Sequence, residues 1–336
     1  MQIKKLEWAD DLRIFAILAV IVIHAVIPIV HNFNSISLKY WWLGNILNSA
    51  SRFCIPVFLM LTGALMLPKE YQLGDFFKKR MLRILLPFIL WNFIYIVYKW
   101  NRDSIEINFL EYSLSQFQGG AYYHLWYVYM IIGIYLIFPV LNKWIKYASI
   151  VEMRYFLVIW IISLLLKVPS VKNYFPNINL GYFAEFIGYP VLGHYLNIIS
   201  IRKVKQVSIL LFIGGITITA IGAYVLSNVQ KAINEDFYSY LSLNVMMSSI
   251  GIFLFIKNTN LFKPSRYKIF KLMGDHSYGI YLSHLLFLEL MINVGITWDF
   301  LHPFIGIPLT ILLCLILSSL TVILINKLPL GYLFSG

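Results

Sequence analysis

Residues 10–26 read DDLRIFAILAVIVIHAV, and this stretch decides the fold. From Ile14 to Ile23 every residue is apolar, with Arg13 at one edge and His24 at the other, and beyond His24 the apolar run continues to Val30. That length approaches the roughly 20 residues a helix needs to cross a hydrocarbon core of about 30 Å. Inside lipid the backbone must satisfy its own hydrogen bonds, which selects a helix. The run carries no small-residue cleavage site and further apolar runs follow, so it stays as a first span and is not a removable signal peptide. The whole chain repeats the pattern. Of its 336 residues 60% are hydrophobic and 12% charged, with a mean hydropathy of +0.75, which takes it out of the soluble globular class.

Working outward, ten spans are expected, at about 12–30, 42–67, 82–99, 124–142, 154–169, 181–199, 207–227, 239–256, 278–296 and 304–326. They predict an all-α, multi-pass transmembrane bundle forming one domain over residues 1–336, with no appended soluble domain. Pro and Gly within CIPVFLMLTG and GYPVLGHYL predict kinks facing the protein interior. Lys and Arg collect in alternate loops. Lys4, Lys5, Lys69, Lys78, Lys79, Arg80, Arg83, Lys143, Lys146, Arg154, Arg202, Lys203, Lys205, Lys257, Lys263, Arg266, Lys268, Lys271 and Lys327 fall on one side. The other side holds only Lys39, Lys99, Arg102, Lys167, Lys172 and Lys231, partly offset by acids such as Asp103, Glu106 and Glu235. By the positive-inside rule the richer side is cytoplasmic, and an even number of spans puts both termini there.

The net charge of +12 is therefore a topology signal within a cell (cytoplasmic) membrane protein, and no nucleic-acid partner is expected. The abundance of Ile, Lys, Asn and Tyr is compatible with a bacterial source. Cys54 and Cys314 fall inside apolar runs, so neither a disulfide framework nor a metal site is expected. KEYQLGDFFKKRMLRILLPF and LFKPSRYKIFKLMGDHS mix aromatic and basic residues as interfacial helices do, although plain topology signals would read the same.

Charged and polar groups inside spans cost on the order of 3 kcal/mol near the bilayer centre, so they rank the candidates. Eleven steps of 100° bring His24 to within about 20° of Arg13, roughly 16 Å further along one helix face. A site that holds an anion at the membrane surface and does chemistry deeper in needs this arrangement. Arg13 snorkelling to headgroups and His24 bonded in the bundle core is an equally open reading.

With Asp10 three residues before Arg13, and His24 eleven after it, the first span resembles the signature of the integral-membrane acyltransferase-3 family, whose members O-acylate cell-surface carbohydrates. The resemblance continues in SRFCIPVFLMLTG (Arg52, Phe53, Pro56, Thr62, Gly63), KRMLRILLPF, and HLWYVYMIIGIYLIFPVL (His124, Trp126, Tyr127). It ends in LMGDHSYGIYLSHLLFL (Ser277, Ile280, Tyr281, Leu282, His284). The resemblance implies acetyl-CoA or another acyl-CoA as donor. It implies a carbohydrate acceptor: a surface polysaccharide, peptidoglycan or a lipid-linked glycan precursor.

Acyl transfer to a hydroxyl needs a base, and His24 is the candidate. Arg13, whose planar fork suits phosphate, is the candidate for CoA binding. Asp10 orients that guanidinium or, with Asp11, caps the helix. The resemblance places Arg52 toward the reaction chamber, where it stabilises an oxyanion or grips the acceptor, with a salt bridge to Glu185 as the plain alternative. His124, Trp126, Tyr127 and Glu185 are candidates to bind the acceptor, and the aromatic residues beside His124 (Tyr122, Tyr123 and Trp126) stack on a sugar or form an aromatic belt at the interface. His284 is a candidate for direct catalysis facing the donor pocket, with Tyr281 one turn away on the donor side, and a packed, hydrogen-bonded histidine would explain the same position. His194 reads as structural, and Glu289 is an intramembrane acid with no assigned partner. Without the hydrolase-like domain of longer relatives, either the membrane domain acylates the acceptor or it passes acyl groups to a separate extracytoplasmic acyl-accepting protein. A transporter or flippase of a glycan intermediate is the rival, weakened by the lack of repeating halves.

Overall fold

The computed structural model describes residues 7–103, 108–166, 185–259 and 268–335, with backbone only at 268–270. All regular elements among them are helical. In chain order they are α1 (Glu7–His31), α2 (Leu38–Ser51), α3 (Cys54–Met66), α4 (Leu73–Asp103), α5 (Phe109–Gly119), α6 (Trp126–Tyr147) and α7 (Ile150–Leu165). There follow α8 (Gly188–Ile198), α9 (Val204–Gln230), α10 (Leu243–Thr259), α11 (Lys268–Asp275), α12 (Ser277–Asn293) and α13 (Pro303–Lys327). Seven segments among the described residues are long and apolar enough to cross a membrane: α1, α2 with α3, α4, α6 with its preceding turn, α9, α10 with its preceding turn, and α13. The other three expected spans correspond to shorter helices, α7, α8 and α12, of 16, 11 and 17 residues. Lys4, Lys5, Glu106, Lys167, Lys172, Lys263 and Arg266 lie outside the described residues, as does the first part of the sixth expected span.

The expected second span is two helices, broken at Arg52–Phe53. Pro56 explains the position, because its ring crowds the carbonyl four residues back, that of Arg52, and it has no N–H to offer. Pro56 and Pro190 both stand at the third residue of their helices, where a missing N–H is tolerated, so they open α3 and α8 and do not kink them. KEYQLGDFFKKRMLRILLPF does not form a separate interfacial helix; from Leu73 it is the start of one 31-residue helix, α4. Of LFKPSRYKIFKLMGDHS, residues 268–275 form α11, and 261–267 lie outside the described residues.

α1 and the α2–α3 pair form the centre of the bundle, 61% and 72% buried, whereas α9 and α13 lie at its lipid-facing edge at 22% and 28%. α3 and α8 cross at two glycines. A Cβ on Gly63 would stand 1.8 Å from the Pro190 carbonyl oxygen, and one on Gly193 would stand 2.0 Å from that of Met60. Only glycine permits this approach, the small-residue contact by which membrane helices pack. The loops pair as alternating helices require. Asn142 donates to the carbonyls of Leu67 and Lys69, while at the opposite end Asn34 donates to that of Lys231 and His31 meets Glu235.

Candidate active site

The site is built around the five residues Ala121–Leu125, which lead into α6. This short segment is clamped from two helices. On α4, the Asn92 side-chain oxygen accepts from the Ala121 N–H at 2.7 Å. Tyr95, also on α4 and fully buried, donates to the Leu282 carbonyl at 2.9 Å and accepts from the Leu286 N–H, which ties α4 to α12. On α12, the Tyr281 hydroxyl donates to the His124 carbonyl, and Glu289 accepts from the Tyr122 hydroxyl. Glu289 in turn pairs with Arg102 at 3.0 Å, which gives this acid a partner on α4. Buried polar groups satisfied on both sides hold a backbone in one geometry.

That geometry brings three histidines from three elements together. The His24 and His284 rings lie 5.1 Å apart, centroid to centroid, and those of His284 and His124 lie 5.2 Å apart. His284 is completely buried, and its Nδ1 is 2.6 Å from the Tyr281 carbonyl oxygen. A carbonyl can only accept, so Nδ1 carries the proton and Nε2 holds a lone pair, which has no partner. By the same logic His124, 3.4 Å from the Leu282 carbonyl through Nε2, has its lone pair on Nδ1, again without a partner. His24 is the one member that is half-buried, and its Nδ1 lies 3.1 Å from the hydroxyl of the exposed Tyr123. Among the described residues no group of three or more His, Cys, Asp or Glu side chains is placed to hold a metal ion.

Arg52, at the α2–α3 break, points its Nε at the Asn48 side-chain oxygen, 3.1 Å away, and lays its guanidinium over Tyr238 and Tyr240 at 4.8 and 5.6 Å from their centroids. Its partners are thus an amide and two rings, not Glu185. The Arg52 charge also acts on His24. Tyr240 continues into a row of rings, with Trp126 at 6.0 Å and Phe186 beyond it at 5.6 Å. Glu185 uses its carbonyl to accept from the Trp160 indole at 3.0 Å, and it lines a groove of about 310 Å³ with Phe186.

At the basic end of the same bundle, Arg13 is 32% exposed and bonds the buried Asp10 at 2.6 Å. The start of α4 and the loop before it form a cavity of about 550 Å³ lined by Lys79, Arg80 and Arg83 together with Glu70 and Asp75, the latter 3.8 Å from Lys79.

Of the residues expected from the sequence, His24, His124, Tyr281 and His284 come together, with Arg52 alongside. Arg13 and Asp10 form their own pair. His124 is 2% exposed and Tyr127 packs against Phe58 and Tyr281, so both belong to the protein interior, while Trp126, 37% exposed, faces outward. Sequence reasoning missed Tyr95, Asn92, Tyr238 and Tyr240 as members of the site, and had Tyr123 only as one aromatic beside His124. Their one signal was an excess of Tyr and Asn at positions where lipid-facing helices carry Leu and Ile.

The fold and these interior groups define a polytopic helical membrane protein with a histidine cluster reachable through His24. A sequence model described as an acyltransferase domain matches residues 6–319, nearly the whole chain, and the protein belongs to that family, acyltransferase family 3 of membrane O-acyltransferases. No curated protein and no solved structure matches the chain.

Proposed function

We propose that this membrane acyltransferase moves an acyl group, acetyl in the simplest case, from cytoplasmic acyl-CoA to a hydroxyl of a cell-surface polysaccharide, peptidoglycan or lipid-linked glycan precursor. The observation that carries the reading is the accessible imidazole of His24, bonded to Tyr123 and backed by His284. When Nδ1–H of His24 donates to the Tyr123 oxygen, Nε2 is left as a base. It takes the proton of the acceptor hydroxyl as that oxygen attacks the thioester carbonyl. The C–S bond breaks, and the imidazolium returns the proton to the departing thiolate. His284, sealed from any acceptor, keeps the His24 ring in place, and Arg52 serves the acceptor side.

The donor's phosphates belong at the basic end, in the cytoplasm by the positive-inside rule. Arg13 and the cavity of Lys79, Arg80 and Arg83 offer charge-assisted hydrogen bonds there. The pantetheine arm has about the backbone length of four to five residues and so reaches about 15 Å, close to the rise of roughly 16 Å from Arg13 to His24. This match supports a thioester delivered to the histidines by a donor anchored at the surface. Delivery to a separate extracytoplasmic acyl-accepting protein, or transport without chemistry, has no observation in its favour.

The test is CoA release from acetyl-CoA by the purified protein in lipid, supplied with cell-envelope glycan. Release depends on the glycan, and His24→Ala lowers it by about 10²- to 10⁴-fold in a protein that still folds. Equal release by His24→Ala removes the assigned base; a native protein that neither binds acyl-CoA nor releases CoA removes the whole reading.

A further inference from the structure

Within the acyl-transfer reading the acceptor is defined only as a glycan hydroxyl, and Arg52 narrows it. A cation inside a membrane bundle is costly unless something compensates it. Arg13 has Asp10, and Arg102 has Asp103 and Glu289. Among the described residues no carboxylate pairs with Arg52. Glu235, which its charge reaches, is bonded to His31 at 2.8 Å instead. Arg52 is nonetheless held firmly, by the Asn48 oxygen on Nε and the faces of Tyr238 and Tyr240 on the guanidinium. The guanidinium also meets the Tyr240 hydroxyl, and the donors that remain on its terminal nitrogens keep the planar fork that grips a carboxylate or phosphate.

A second, independent observation lies beside it. Asn48 is completely buried, and while its oxygen serves Arg52 its amide nitrogen, which turns toward the Tyr238 hydroxyl, has no acceptor at full hydrogen-bond distance among the described residues. Asn48 near the end of α2 and Arg52 just past it, four residues apart, thus both have donor capacity to offer an acceptor. From Tyr240 the row of ring faces runs through the half-exposed Trp126 to Phe186, and such faces suit the apolar side of a sugar ring.

We infer that Arg52, Asn48, Tyr238 and Tyr240 form the subsite for a negatively charged group, carboxylate or phosphate, carried by the saccharide acceptor. The rings beyond Arg52 lead from Tyr240 to Trp126, three residues after the Tyr123 that bonds His24, so the anionic group belongs to the sugar that is acylated or to its neighbour.

The experiment separates envelope glycan by anion exchange into retained and unretained pools and measures acetyl-CoA-dependent acyl transfer to each by the protein in lipid. The retained pool is the acceptor. Carboxyl reduction of that pool abolishes transfer if the group is a carboxylate, and phosphatase treatment does so if it is a phosphate. Arg52→Gln raises KM for the retained pool by about 10- to 100-fold and leaves KM for acetyl-CoA unchanged, and Arg52→Lys recovers little of the loss. Transfer to the unretained pool equal to that of the retained pool overturns the subsite. So does an Arg52→Gln enzyme with native acceptor kinetics, or a native protein that binds acetyl-CoA yet acylates neither pool. A native protein that does not bind acetyl-CoA at all brings down the acyl-transfer reading itself, which is a distinct result.

Discussion

The first turns of α1 and its middle are built on opposite principles. At the basic end Arg13 finds its partner within its own helix, at Asp10, and stays partly exposed. Further along, His24 finds its partners on other elements, Tyr123 before α6 and His284 on α12, and the groups that touch it are rings, with no charged side chain among the described residues bonded to it. The first turns present charge to whatever arrives from water. The middle presents lone pairs and hydroxyls in a setting where water does not compete, and where a misplaced polar group costs more. On the proposed acyl transfer, the difference divides labour along one helix, with donor binding at the charged turns and bond-making at the uncharged ones.

Two substitutions sharpen that division. If Arg13 holds the donor's phosphates as proposed, Arg13→Ala raises KM for acetyl-CoA by about 10- to 100-fold with kcat nearly unchanged. Steady-state kinetics at saturating glycan checks this, and a fall in kcat with native KM would break the comparison. Tyr123→Phe removes one neutral hydrogen bond from His24 and frees the choice of tautomer. The expected loss is smaller, about two- to tenfold in kcat, with KM for acetyl-CoA unmoved. The same kinetics decides it, and an effect confined to donor KM would place Tyr123 at the wrong end of the scheme.

The contrast also explains what could be read from the sequence. The Arg13–Asp10 pair is local, three residues apart, and helical spacing predicts it. Long apolar runs predict α1, α4, α6, α9, α10 and α13. The break at Arg52 escapes a hydropathy reading, since apolar character continues across it; the physical signal is Pro56, whose effect falls four residues earlier. The histidine cluster joins residues from three separate elements, so no spacing within a helix reveals it, and only the family resemblance had named all three. Tyr127 and His124 read as interfacial because aromatic residues open a span there, yet the clamp by Asn92, Tyr281 and Glu289 turns that segment inward. Glu289 had no partner in prospect because Arg102 lay in the loop counted only for topology.

The smallest expected effect lies at the last residue of α1, where His31 bonds Glu235 at 2.8 Å. Here the end of the helix returns to water, and the contact has the character of the Arg13 end and not of the His24 end. The His31 side chain holds the Glu235 carboxyl below its ordinary range. A carboxylate whose folded value is depressed adds stability that is fully present above its unfolded value of about 4.3 and is lost as pH falls through the folded value. Both side chains are about half exposed or more, at 49% and 58%, so solvent screening keeps the contribution below about 1 kcal/mol. Thermal unfolding of the protein in detergent therefore shows a small deficit for Glu235→Gln near neutral pH that shrinks toward pH 4 and is weakened by salt. A deficit of several kcal/mol, or one that grows as pH falls, would mean that the end of α1 is held by a buried network like that around His24, and the helix would lose its second charged, solvent-facing terminus.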